Sequence, residues 1–293
     1  MSVESVEQIA EVVLYEGYLL FPYRHSSVKN QQRWTFGGVY PRGFSEAAQS
    51  QDPWQMQTQC LLEAAPETPL EITVRFLQVV DAGDHEEALD RRVQVTLQPA
   101  QQHGGANVAI PAGVDGAARW EALSGRVEVS SRQLGAMLWQ VTVGISNTTP
   151  CASTERPAAL HRAFISTHTI LCAPGGAFIS LLEPPPHLAE ATAACCNLHT
   201  WPVLAGDPPD RQVMLSSPII LYDYPQVAPQ SHGNFYDTTE IDELLTLSVL
   251  ALSDDEKQEM RQADARSRAI LERTEALTPE QVLALHGVSR TLP

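Results

Sequence analysis

The chain has 293 residues, 43% hydrophobic and 18% charged, with 35 acidic against 19 basic side chains and a formal charge of −16. That length suits one large domain or two modest ones, burying about 75% of the unfolded surface. The acidic balance excludes an ordinary nucleic-acid binder, which needs Lys and Arg to displace counterions from phosphates; only Lys29 and Lys257 are lysines. The 21 prolines outnumber the 17 glycines, which favours short elements joined by rigid turns.

The first twenty-one residues, MSVESVEQIAEVVLYEGYLLF, carry neither a basic leader nor a small-residue cleavage site. No apolar run approaches the ~20 residues that cross a bilayer. Five cysteines, an odd count, suit a reduced compartment better than a disulfide framework. The expectation is a cytoplasmic protein without membrane insertion.

Residues 3–14 place Val3, Val6, Ile9, Ala10 and Val13 at helical spacing, so a short amphipathic helix opens the chain. Residues 14–44 read as two extended pieces joined by a polar loop, with Gly37, Gly38 and Pro41 as breakers. Alternation predicts strands over 69–80 and 91–98, separated by a turn or hairpin loop. The Gly-, Ala-, Gln- and Pro-rich stretch 99–119 reads as a long loop. Two more strands are predicted at 126–130 and 138–146, then a hairpin over 161–186 turning at Pro174-Gly175-Gly176, then a helical stretch at 187–196.

An apolar run from Pro218 to Tyr224 ends at Pro225 and leads into a loop rich in Pro, Asn, Asp, His and aromatics. Three capping boxes follow: Asp237 with Glu240, Ser253 with Glu256, and Thr278 with Gln281, the last with Pro279 at the first helical position. The expected fold is therefore α+β: a strand-rich antiparallel body, sandwich- or barrel-like, over 1–236, and a helical section over 237–293 packed on it.

Chemical motifs are few. The chain has no G-x-S-x-G, no phosphate-binding G-x-x-x-x-G-K, no G-x-G-x-x-G and no C-x-x-C. Cys195, Cys196 and His199 could put two ligands on one helix face, but a structural zinc needs about four, and buried cysteines more often act as small hydrophobes. No cofactor, metal or catalytic residue is expected. Charge asymmetry is clearer. Residues 15–44 hold Arg24, Lys29, Arg33 and Arg42 against Glu16 alone, interleaved with Tyr15, Tyr18, Tyr23, Trp34, Phe36 and Tyr40. Residues 237–259 hold eight acids against Lys257. Core filling and a solvated helix face account for more than half of these residues; the remainder fits a protein-binding surface, because Arg, Tyr and Trp are enriched at interface hot spots.

The segments at 15–42, 164–171, 175–185, 201–204 and 216–247, the last reading SSPIILYDYPQVAPQSHGNFYDTTEIDELLTL, resemble a bacterial family encoded alongside [NiFe]-hydrogenase structural and maturation genes. The likeness spans most of the chain outside roughly 45–70 and 99–120. It implies an accessory, assembly or maturation role, carried out by binding a hydrogenase subunit or maturation protein. Two contact regions are expected: Tyr23, Arg24, Lys29, Arg33 and Trp34 in one, and Tyr222, Asp223, Tyr224 and Asp237 in the other. Homo-oligomerisation stays open. The alternative is an enzyme or small-molecule binder with a pocket at 225–237, lined by Arg24, His232 and Asp237.

Overall fold

The computed structural model describes residues 3–17, 21–23, 27, 30, 36–47, 51–83, 85–226, 235, 242–262 and 265–284. It has two compact units, Met1–Leu14 with Phe36–Pro225, and Tyr15–Thr35 with Gln226–Pro293. The α+β reading holds, with two antiparallel sheets and a helical C-terminal region. The division differs from the expected one. The helical unit starts at Gln226 instead of 237, and it recruits Tyr15–Thr35. Its core explains this: the Arg266 guanidinium lies 4.0 Å over the Tyr15 ring, and Tyr23 packs on Phe235 at 6.4 Å.

In the first unit, one sheet runs β10 (Ala177–Phe178), β1 (Gln55–Glu63), β8 (Leu138–Asn147), β7 (Leu123–Gln133), β4 (His103–Ile110). The other runs β11 (Trp201–Ala205), β12 (Val213–Ser217), β9 (Ile165–Cys172), β2 (Leu70–Asp81), with β3 (Glu86–Leu97) along β2. A small hairpin, β5 (Gly113–Asp115) and β6 (Ala118–Trp120), joins the end of β2 at Asp81. Alternate residues of both sheets, among them Leu62, Val74, Val127, Val141 and Met214, bury one common core, which makes the unit a sandwich. Phe76 stacks on Phe164 within it, centroids 4.5 Å apart.

The opening helix, α1 (Val3–Leu14), has the bounds its periodicity predicts. Val6 and Ala10 join Ile170, Ala205 and Leu215 in an apolar layer on the outer face of the second sheet.

Three expectations are corrected. The supposed loop 99–119 contains β4, β5 and β6; glycine suits β4 because a Cβ at Gly105 would lie 2.5 Å from the Val127 carbonyl oxygen. Residues 161–186 do not form a hairpin, since the turn at Gly175 (φ +81°) sends β10 across to pair with β1. The helix at 187–196 shrinks to a 3-10 turn, Pro186–Leu188, and α4 (Ala189–Ala193).

Short helices α2 (Arg42–Ala47) and α3 (Arg156–Leu160) complete the first unit. In the second, α5 (Asp242–Leu250), α6 (Asp254–Gln262), α7 (Ala265–Glu275) and α8 (Pro279–Ala284) bury Leu245, Val249, Met260, Ile270 and Leu271. Two capping boxes form as predicted. Ser253 N–H donates to Glu256 Oε2 at 2.9 Å and Glu256 N–H to Ser253 Oγ at 3.4 Å; Thr278 and Gln281 exchange equivalent bonds of 2.8 and 3.2 Å. The box at Asp237 lies outside the described residues.

Candidate partner-binding surface

The stretch after β12 belongs to no strand and bends at Pro218–Ile219 and again at Asp223–Tyr224. Its start is fixed at Ser217, whose Oγ donates to the Ile219 carbonyl at 2.7 Å. Pro218 then lies so close to Gly37 that a Cβ there would fall 2.5 Å from its Cγ; Gly37 also has φ +53°, so only glycine fits. The far end is fixed by Asp223. Its Oδ1 accepts the Leu204 N–H at 2.8 Å and its Oδ2 accepts the Ser180 hydroxyl at 2.5 Å. Ser180 Oγ in turn accepts the N–H groups of Leu182 (3.1 Å) and Glu183 (2.8 Å). Tyr224, at φ +56°, donates its N–H to the Leu204 carbonyl at 2.7 Å.

Leu204 therefore spends both backbone groups on the side of β11 away from β12. Strand alternation turns Pro202 to that same side, where it has no donor to offer. One outer position of this edge strand is clamped and the other lacks an N–H, which discourages uncontrolled pairing. Between the two fixed points Leu221 packs inward on the α1-facing cluster, while Ile220 and Tyr222 turn outward. Ile220 is 72% exposed and Tyr222 86%, with Leu182 and Trp201 also exposed nearby in the fold. Large apolar groups held on a pinned backbone can meet a partner with little loss of conformational entropy.

Of the expected contact residues, Tyr222 is available at the surface. Asp223 is not, since both its oxygens are spent inside the unit. Tyr224 packs against the core, and burial raises its phenol pKa. Tyr23 is fully buried between Phe21 and Phe235, so it is a core residue instead of a surface anchor. Arg24, Lys29, Arg33, Trp34, His232 and Asp237 lie outside the described residues. Ile220 and Trp201 were missed because short apolar runs give no sign of which members face solvent.

Three of the five thiols lie in surroundings unlike those of a reactive cysteine. Burial raises the thiol pKa of Cys60, Cys172 and Cys195, whereas a reactive thiol is depressed. Among the described residues no three His, Cys, Asp or Glu side chains are grouped to hold a metal ion. The segment after Cys195 covers the part of the β1 edge that the short strand β10 leaves open. Cys196 N–H donates to Gln59 Oε1 at 2.8 Å, and the Asn197 side chain accepts from Gln59 N–H (2.7 Å) and donates to Gln59 O (3.2 Å). No helix among the described residues is long and apolar enough to cross a membrane.

Comparison with protein-family models, curated proteins and solved structures yields no match to this chain.

Proposed function

We propose that this chain is a cytoplasmic accessory protein that acts by binding another protein, a subunit or maturation partner of a [NiFe]-hydrogenase, and has no reaction of its own. The observation carrying the binding role is the pair Ile220 and Tyr222, exposed in their side chains on a backbone pinned at both ends. A surface fixed in advance loses little conformational entropy on association. The hydrogenase part of the reading rests on the resemblance of the segments around 15–42 and 216–247.

The test is recovery of hydrogenase subunits with tagged protein from cells expressing the hydrogenase. Ile220→Ser with Tyr222→Ala should reduce recovery about tenfold or more, the usual loss when hot-spot side chains are truncated. Arg24→Glu with Arg33→Glu tests the basic segment in the same way. Recovery unchanged by the first pair removes the Ile220–Tyr222 surface from the proposal. Absence of hydrogenase subunits from the wild-type eluate removes the hydrogenase.

A further inference from the structure

At the opposite end of the sandwich from β11, the edges of the two sheets stand apart. Residues 90–94 of β3 and 106–110 of β4 line an open groove of about 630 Å³. Its floor reaches the sandwich core, where Val108 is buried and Val93, Ala106 and Ile110 pack against the common cluster. The groove is bounded at both ends. The turn Pro99–Gln101 joins the two strands at one end. At the other, the Arg91 guanidinium lies 5.4 Å over the Trp120 ring of the β5–β6 hairpin.

The two edges differ in character. β3 carries Glu86, Glu87, Asp90, Arg91 and Arg92, the charge density that normally protects an edge. β4 reads HGGANVAI and has no proline, no lysine and no carboxylate. Its ladder to β7 fixes which backbone groups point outward. Gln102 O accepts Ser131 N–H at 2.9 Å, while Ser124, opposite Ala109, directs its carbonyl to Thr148 N–H at 3.0 Å. Alternation between these anchors turns the backbone N–H and C=O of Asn107 and Ala109 away from β7, along the groove.

One charged group in the groove has unused capacity. Arg91 Nε donates to Gln78 Oε1 at 3.0 Å, but its buried Nη2 has no hydrogen-bond partner among the described residues. Arg91 alternates with Val93 and Val95 and so lies on the core-facing side of β3.

We propose that this groove binds an extended peptide segment of a partner protein by strand addition to β4. The segment pairs with Asn107 and Ala109, sets alternate apolar side chains over Val93, Val108 and Ile110, and places a Glu or Asp carboxylate against Arg91 Nη2. The five residues on each wall match a core motif of about five residues, roughly 16 Å of strand. A charged end fixes register, because a neutral or basic side chain there leaves the guanidinium uncompensated.

The probe is a fluorescein-labelled heptapeptide of alternating threonine and valine with glutamate at one valine position, followed by anisotropy. Saturable binding is expected. It should weaken about tenfold or more with lysine in place of glutamate, with N-methyl groups on the strand-pairing side of the peptide, and in Ala109→Pro protein. Ala109→Thr, which keeps the N–H, should bind like wild type. The N-methylated peptide keeps the test valid should Ala109→Pro be poorly folded. No saturable binding up to about 1 mM, or equal binding of the N-methylated peptide, overturns the proposal. So does a wild-type dimer that Ala109→Pro dissociates, since the edge would then belong to a second copy of this chain.

Discussion

Arg75 on β2 and His168 on β9 stand directly opposite each other, and both side chains are closed to solvent. Arg75 Nη2 bridges Glu11 of α1 at 2.7 Å and Asp90 of β3 at 2.8 Å, tying the opening helix to the sheet it covers. His168 Nδ1 lies 3.0 Å from the Ser166 carbonyl, which can only accept, so Nδ1 carries the hydrogen. The remaining nitrogen, Nε2, is buried without a partner among the described residues. Protonating it would put a second cation beside Arg75. Burial first, and Arg75 among the charges, lower the His168 pKa to about 4.

This gives a pH dependence with a definite sign. An unfolded histidine titrates near 6.5, so in the window between about 6.5 and 4 the unfolded chain binds the proton and the folded chain does not. The stability from a neutral His168 is complete above that window and is lost as pH falls through it, by about 3 kcal/mol at the acid end. Urea unfolding at about pH 7 and about pH 4.5 should show a steep loss in wild type and a shallower one in His168→Gln. Because other titrating groups are common to both proteins, parallel slopes would show that His168 does not drive the effect.

The Arg75 bridge makes a second prediction. Removing one partner of a buried ion pair leaves charge uncompensated, whereas replacing the pair by apolar groups is often neutral. Asp90→Ala should cost about 2 kcal/mol, moderated because Asp90 is partly exposed and Glu11 remains. Adding Arg75→Met should restore part of that loss. A double variant less stable than Asp90→Ala would contradict this account of the bridge.

The sequence showed some of this architecture clearly and hid the rest for physical reasons. α1 was legible to the residue because one face is apolar at a 3.6-residue period. The Ser253 and Thr278 caps were legible because the bond reaches only three residues along the chain. β4 was not legible, since it is an edge strand whose Gly104 and Gly105 lower strand propensity while permitting close approach to β7. The destination of β10 was hidden too, because pairing with β1 is a long-range contact that no local turn encodes. Asp223 carried the correct emphasis and the wrong role: its importance shows in an Asp between two tyrosines, but its partners, Ser180 and Leu204, are distant in sequence.

The verified caps should contribute measurably to the helical unit. Ser253→Ala and Thr278→Ala should each cost about 1 kcal/mol. Hydrogen exchange is the suitable readout, with faster exchange expected at the first turn of α6 for the former and of α8 for the latter. Exchange in α7 serves as the internal control. Acceleration spread evenly over all helices would mean that these boxes act only through global stability.

The Asp223 clamp links the fold to the proposed binding role, and its two hydrogen bonds can be separated. Asp223→Ala removes both acceptors and should cost about 2 kcal/mol locally, releasing the backbone that presents Ile220 and Tyr222. Asp223→Asn can still accept from the Leu204 N–H but presents an amide to Ser180, so about half the loss is expected. Ser180→Ala should fall near Asp223→Asn, because it removes the same Ser180–Asp223 bond, together with the turn bonds to Leu182 and Glu183, and leaves the Leu204 bond in place. Chymotrypsin cleavage after Tyr222 reads this directly: the side chain is already exposed, so the cleavage rate reports backbone release alone. The expected order is Asp223→Ala fastest, the two single-bond variants intermediate and wild type slowest. Equal rates in all four proteins would mean that Asp223 does not hold this surface in place.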